Sequence, residues 1–426
     1  NLDGFSISTK ELRKSIGTNV HTFYNIFTIV AVALLRLVAL FGHSRARSFL
    51  AMRSSVQNIS SSTPRAWFHC ASLGEYEQAV TVIESYISRS PEPPILLTFF
   101  SPSGYSPLVK NHPKWMREGD LITALPLDTP RRVRDFLSST AVHVKFFATC
   151  KYEVWPELMK QLDAAEIPSF VFATYFTADA FPLRNNPISK FLLSAWRRFD
   201  RIFTQDESSS RLLKLHGIDS VIAGDPRADR VLQIAKESTP PSDLKNWKGD
   251  SKVVLAGSSW AEEEGALSTL TWDAQIKLLI APHEVNEANI QRILTLFPSS
   301  ARYSSGDLHA SVVVIDSVGL LSSLYALADL AVIGGGFGSG LHNVLESSAF
   351  GISSLSGPNI NRFREALFLQ DISALYISST PFDLSKQVKR LLSSENSQEL
   401  KSSGMAAKSW VLSQKGAAEK ITSYLP

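Results

Sequence analysis

From residue 65 onward, short runs of apolar and β-branched residues alternate with stretches whose apolar positions recur every three to four residues. The runs at 66–70, 95–100, 121–125, 142–148, 168–173 and 201–204 read as strands, with 76–88 and 152–165 as helices between them. A polar segment at 236–250 interrupts the pattern, and a second series follows at 253–256, 276–281, 312–315, 330–333 and 352–355. Strands that alternate with helices build a parallel sheet wound on both faces, so the fold class is α/β with two similar Rossmann-like domains. The expected division is 59–235 for the first domain, 236–250 for a linker, 251–396 for the second domain and 397–426 for a helical tail. Ligands are expected at the carboxyl ends of the strands, in the cleft between the domains.

Residues 1–58 follow a different pattern. Positions 24–41 are nearly all apolar, but Arg36 interrupts them, and the unbroken part is short for a span of about 20 residues. Basic residues follow, at His43, Arg45, Arg47 and Arg53, where a cleaved signal peptide would have small residues. The pattern predicts a membrane anchor, either a helix lying on the surface or one short span with its basic flank on the cytoplasmic side. A buried hairpin helix of the first domain is the alternative. The Ser/Thr/Pro-rich stretch 54–64 reads as a linker.

Composition narrows this picture only modestly. A chain of 426 residues, 44% of them hydrophobic, has ample core for two or three domains. With 43 basic against 40 acidic residues the balance is too even for a general nucleic-acid binder. Cys70 and Cys150 each end an apolar run, where a small buried thiol is the expected role and a disulfide framework is not.

The most suggestive chemistry follows the run at 330–333, in Gly334-Gly335-Gly336-Phe337-Gly338-Ser339-Gly340-Leu341-His342-Asn343-Val344-Leu345-Glu346. Strand, glycine turn and a helix predicted over 342–350 would present unpaired N–H groups to a phosphate, with Glu346 within reach of a ribose hydroxyl. The same glycines could instead serve close helix–strand packing, since the strict dinucleotide fingerprint is absent.

Further motifs stand in order along the chain. Trp67-Phe68-His69-Cys70-Ala71-Ser72-Leu73-Gly74-Glu75 ends a strand in Ser-x-Gly-Glu, and Leu97-Thr98-Phe99-Phe100-Ser101-Pro102-Ser103-Gly104-Tyr105 and Leu125-Pro126-Leu127-Asp128 follow. Then come Tyr152-Glu153-Val154-Trp155-Pro156, Gly224-Asp225-Pro226-Arg227-Ala228-Asp229, Gly257-Ser258-Ser259-Trp260 with Glu262-Glu263-Glu264, and Ala281-Pro282-His283-Glu284. In this order the motifs resemble the Kdo transferases, glycosyltransferases of GT-B architecture that move 3-deoxy-manno-octulosonic acid (Kdo) from CMP-Kdo to a lipid A precursor. The resemblance implies an inner-membrane enzyme on the cytoplasmic face, acting in lipopolysaccharide biosynthesis. Two departures stand out. Ala281-Pro282-His283 replaces the Pro-Arg-His of many members, so that one cationic phosphate contact is either missing or supplied elsewhere, and Trp260 stands where His is expected.

Sugar transfer from a nucleotide needs a base for the acceptor hydroxyl and positive groups for the departing phosphate. Glu75, after a buried strand and a glycine turn, is the candidate base if burial raises its pKa; a first-turn position in a helix would lower it instead. Ser72, Gly74 and Glu153 are assigned to loop shape and acceptor contact. Arg227 is assigned to the donor's phosphate or carboxylate, with pairing to Asp225 or Asp229 as the alternative. The cytidine monophosphate is assigned to His283, Gly335, Gly336, Gly338, His342, Asn343 and Glu346. No Asp-x-Asp and no zinc-ligand spacing occur, so no metal or other cofactor is expected. The absence of a Gly-x-Ser-x-Gly elbow argues against a serine hydrolase, although the two carboxylates alone would also suit glycoside hydrolysis. Two alternatives stay open: a GT-B enzyme using a UDP-sugar, and a catalytically silent membrane-attached nucleotide- or lipid-binding protein.

Overall fold

The computed structural model describes residues 9–54, 65–140, 144–306, 308–338 and 340–426. The stretch 55–64, read above as most of a linker, lies outside the described residues. The chain divides into two compact units, residues 1–226 with 416–426 and residues 227–415.

The first unit begins with the helices α1 (Thr9–Leu40) and α2 (Ser44–Ser54). Its strands are β1 (Arg65–Cys70), β2 (Ile95–Phe99), β3 (Leu121–Ala124), β4 (Val144–Cys150), β5 (Ser169–Thr174), β6 (Arg201–Thr204) and β7 (Val221–Ile222). They form one parallel sheet in the order β3-β2-β1-β4-β5-β6-β7. Successive side chains of a strand point to opposite faces. Phe68 and Phe146 therefore meet edge to face at 5.5 Å in one buried layer, while Trp67 and Phe147 meet at 4.6 Å in the other. Burial on both faces is why these strands read as continuous apolar runs.

The second unit carries β8 (Lys252–Ser259), β9 (Ile276–Pro282), β10 (Ser300–Arg302), β11 (Val312–Val314), β12 (Leu330–Ile333), β13 (Ser353–Ser356) and β14 (Leu375–Ile377). The order is β10-β11-β9-β8-β12-β13-β14, again parallel. In both sheets the direction of winding reverses beside the first strand, between β1 and β4 and between β8 and β12. A crevice opens at the carboxyl end of such a pair, because the following loops leave on opposite sides.

Three boundaries differ from expectation. The first unit ends at Pro226, and the helix Pro226–Glu237 packs Ala228 and Val231 against Leu345, Ala349 and Val411 of the second unit. The segment 236–250 contains the helix Ser242–Lys248, whose Leu244 and Trp247 are buried in the second unit's core. Two apolar residues one turn apart were enough to dock it, but too few to show against its polar neighbours. The tail is shared. The helix Ser397–Ser413 belongs to the second unit, whereas Ala418, Ile421 and Leu425 join the core beside α3 (Leu73–Arg89), where the Tyr86 hydroxyl donates to the Pro426 carbonyl at 3.0 Å.

Trp247 is 6% exposed and its indole N–H donates to the Ala310 carbonyl at 2.7 Å. Trp247→Ala should therefore destabilise the second unit by about 3–5 kcal/mol in urea unfolding. A loss under about 0.5 kcal/mol would return this segment to the role of a linker.

Candidate functional site

In the first unit the crevice is built from the ends of β1 and β4. β1 stops at Cys70, and Ser72 caps α3 in an extended conformation without a side-chain capping hydrogen bond. Glu75 lies in the first turn of α3 and folds back, so that its Oε2 accepts from the Ala71 N–H at 2.5 Å. Burial pushes its pKa up to about 7; the Ala71 N–H opposes this, the Glu153 charge adds to it, and Lys151 opposes it. Desolvation thus outweighs the helix dipole and the backbone hydrogen bond, and the carboxyl titrates at neutrality.

After β4 the chain turns through Lys151, a non-glycine residue at φ 60°, and delivers Glu153 to the same place. The Glu153 Oε2 stands 3.7 Å from Nε2 of His69, whose side chain is fully buried. Nδ1 of His69 lies 3.0 Å from both the carbonyl and the hydroxyl of Thr98, and Nε2 faces the carboxylate. His69 received no role from sequence reasoning. Its signal was there, a lone ionisable residue in the middle of a buried strand.

Gly74 has no atom within 4 Å of where a Cβ would stand. Neither crowding nor a left-handed backbone requires glycine here, and the space beside Glu75 is open. Ser72, Gly74, Glu75 and Glu153 are thus gathered at one crevice. The Cys70 and Cys150 thiols are free and buried, with burial pushing both well up, so neither is a nucleophile.

In the second unit the corresponding crevice lies between β8 and β12, and the glycines there have structural work. A Cβ on Gly334 would sit 2.0 Å from the Ser258 carbonyl oxygen, and Gly335 adopts φ +86° with the Gly340 carbonyl oxygen 2.2 Å from where its Cβ would be. The Gly335 N–H donates to the buried Glu263 carboxylate at 3.1 Å, and Asn359 bonds to the Gly336 and Gly338 carbonyls at 2.9 Å each. Close packing therefore accounts for Gly334 and Gly335, the alternative raised from the sequence. The predicted helix at 342–350 is also shorter, Leu345–Phe350, because the Asn343 side chain accepts from the Leu345 N–H at 3.0 Å and ends the turn there. Glu346 accepts from Ser322 at 2.7 Å and from Asn343 at 3.1 Å.

Three rings project at this crevice. Trp260 and His342 are nearly coplanar, 9° apart, and the indole N–H donates to His342 Nε2 at 3.0 Å. His283 stacks across both, with centroids 4.7 Å from Trp260 and 4.4 Å from His342. An Nε2 that accepts from an indole is unprotonated, so His342 is neutral with its hydrogen on Nδ1. Burial and the neighbouring His283 push its pKa down in the same direction. Trp260 thus has a polar role, as a donor in place of the expected His. Arg227 is paired with Glu365 at 2.8 Å, a partner far off in sequence. Among the described residues no group of three His, Cys, Asp or Glu side chains is placed to hold a metal ion.

Trp260→Phe would remove the hydrogen bond that favours neutral His342, so its pKa should rise toward the ordinary value of about 6.5. Nitrogen shifts of 15N-labelled histidine across a pH titration measure this. An unchanged titration would mean that the indole does not hold that nitrogen.

The family model for 3-deoxy-D-manno-octulosonic-acid transferase (kdotransferase) matches residues 44–230. The chain is 27% identical over 389 residues to the 3-deoxy-D-manno-octulosonic acid transferase of Haemophilus influenzae, covering 86% of this chain and 88% of that one. The Bordetella pertussis protein of the same name is 27% identical over 323 residues, covering 70% and 72%. Among solved structures, the UDP-GlcNAc 2-epimerase of Neisseria meningitidis has the same two-domain fold, with a TM-score of 0.56 and 12% identity over 82% of this chain and 99% of that one. With the ordered motifs at the ends of β1, β4, β8, β9 and β12, these matches make the chain similar in sequence to the Kdo transferases, on a fold of the GT-B type.

Proposed function

We propose that this protein transfers Kdo from CMP-Kdo to a hydroxyl of a lipid A precursor, with inversion and without a metal ion, at the cytoplasmic face of the inner membrane. The observation that carries the reading is Glu75, a buried carboxyl titrating near neutrality at the sheet's switch point, next to open space at Gly74. A base works best when its pKa lies near the working pH. In the proposed step the acceptor oxygen bonds to the anomeric carbon of Kdo while its proton passes to Glu75. The bond from that carbon to the phosphate oxygen breaks with its electron pair, and CMP leaves. Direct displacement inverts the centre and forms no sugar–protein adduct.

Glu153 has a separate part. Its charge helps raise the proton affinity of Glu75, and the buried ring of His69 lies behind it. CMP is assigned to the second unit, to the Trp260–His342 plane with His283, Asn343, Glu346 and the glycine loop. Because His342 is held neutral, it serves as a hydrogen-bond donor through Nδ1, and Arg227 is assigned to the anionic charge. The acceptor's lipid character agrees with the apolar stretch Val20–Leu40, which is long and apolar enough to cross a membrane.

Glu75→Gln keeps the shape of the side chain but cannot take a proton. Transfer should fall by about 10²–10⁴-fold, with CMP still protecting the protein against heat. Retained activity would send the search for the base to Glu153. For the wild type, Glu75 is protonated and idle below its pKa of about 7, so the rate should drop roughly tenfold per pH unit below that point and level off above it. A profile flat down to pH 5 would contradict the assignment. EDTA should leave the rate unchanged, and CMP rather than UDP should raise the melting temperature.

A further inference from the structure

We propose that α1 does not cross the bilayer: it lies along the membrane surface as a fixed part of the first unit, and arginines beside it bind lipid phosphate at the same level. The inference rests on the membrane attachment proposed above. Its geometry comes from the two opposite faces of the helix. His21, Tyr24, Asn25, Val32 and Arg36 fall on one side at helical spacing, and Phe23, Phe27, Val30, Leu34, Leu37 and Phe41 fall on the other.

The first face is bonded to the protein. His21 Nε2 meets Glu157 Oε2 at 2.5 Å, Asn25 donates to the same oxygen at 3.0 Å, and the Tyr24 hydroxyl donates to Asp128 at 2.6 Å. Both carboxylates are buried and are tied further into the unit. Asp128 accepts from the N–H groups of Glu157 and Leu158 at 3.0 and 2.8 Å, and Glu157 accepts from Gln161 at 2.7 Å. The rings of His21 and Tyr24 also rest on Phe191, at 5.7 and 5.5 Å.

Further along, Ile29, Val32 and Arg36 form one wall of a groove of about 760 Å³, and Arg131, Arg132 and Arg134 of the helix Pro130–Thr140 form the other. From His21 to Arg36 the helix runs 15 residues, roughly 22 Å at 1.5 Å per residue, with the unit alongside. Crossing a hydrocarbon core about 30 Å thick would drag these carboxylates and arginines into it, at heavy cost. The chain then returns. Arg53 of α2 donates to the carbonyls of Leu125 at 3.1 Å and Phe100 at 2.7 Å, which clamps the hairpin to the same surface.

The opposite face is bare. Phe23 is 72% exposed, Phe27 70% and Phe41 84%, a continuous apolar stripe of the kind that sinks into the boundary between headgroups and acyl chains. Among the described residues Arg36, Arg132 and Arg134 make no hydrogen bond or ion pair, and Arg131 has only an exposed contact of 3.6 Å with Asp135. Burial and the charge of Arg36 push the pKa of Arg132 down, as unneutralised like charges would. Phosphate supplies the missing charge, and guanidinium is its best side-chain match. The occupant is the anionic lipid of the leaflet in which the stripe is immersed.

Cys70 and Cys150 are buried, so an introduced cysteine can be read alone with a membrane-impermeant maleimide. In sealed membrane vesicles of the full-length protein, Thr22→Cys and Ser44→Cys, near the two ends of the apolar stretch and both at exposed positions, should react from the same side. Reaction from opposite sides would overturn the proposal, whether or not the protein proves to be a transferase. In a second arm, purified protein is bound to phosphatidylcholine vesicles with and without phosphatidylglycerol. The wild type should prefer the anionic vesicles, and Arg131→Gln/Arg132→Gln/Arg134→Gln should lose roughly tenfold to a hundredfold of that preference. An unchanged preference, or failure of the wild type to bind either vesicle or inorganic phosphate binding the groove instead, would reject the lipid site.

Discussion

A carboxylate withdrawn from water at the end of a buried strand is the constraint on which the chemistry proposed for this protein depends. Glu75 has one backbone hydrogen bond to offset its desolvation and a second acid, Glu153, nearby. Those opposing effects leave its proton affinity at neutrality rather than in the ordinary range of glutamate. Holding it there takes a rigid frame. β1 is buried on both faces, β4 pairs with it from Arg65 to His69, and His69 fills the space behind Glu153. Each part of that frame is core, so the position of Glu75 is as stable as the sheet that carries it.

The second unit repeats the topology with a different chemical result. Its switch point carries three stacked rings where the first unit has two acids. Buried carboxylates are present but act as scaffold. Glu263 joins the N–H of Trp260 to that of Gly335, and Glu264 accepts from Ser259 and pairs with Arg292. Glu263 and Glu264 thus brace the ring cluster.

Much of this was legible in the sequence, and the remainder was hidden for identifiable reasons. Buried parallel strands show as unbroken apolar runs, so β1, β2, β6 and β12 stood out, whereas the short edge strands β7, β10 and β14 carry too few apolar residues to rise above their surroundings. Loop motifs at strand ends pointed to Glu75 and Glu153, which the fold brings near enough for their charges to interact. Partners distant in sequence did not show: His69 with Glu153, Trp260 with His342, Arg227 with Glu365. The glycines at 334 and 335 read as a phosphate cradle, and the backbone carbonyl that stands where a Cβ would be at each is a close approach the sequence did not show. Arg36, which looked like a flaw in a membrane span, lies on the face that α1 turns toward the protein.

The central claim concerns the protonation state of one side chain, so the most direct test is to titrate it. Infrared difference spectra between the wild type and Glu75→Gln, collected across pH, isolate the carboxyl stretch of Glu75. The band of the protonated acid should give way to carboxylate around pH 7. A midpoint near the ordinary glutamate value of about 4.3 would contradict the account, because an acid already ionised at that pH has not been tuned to serve as a base at neutrality.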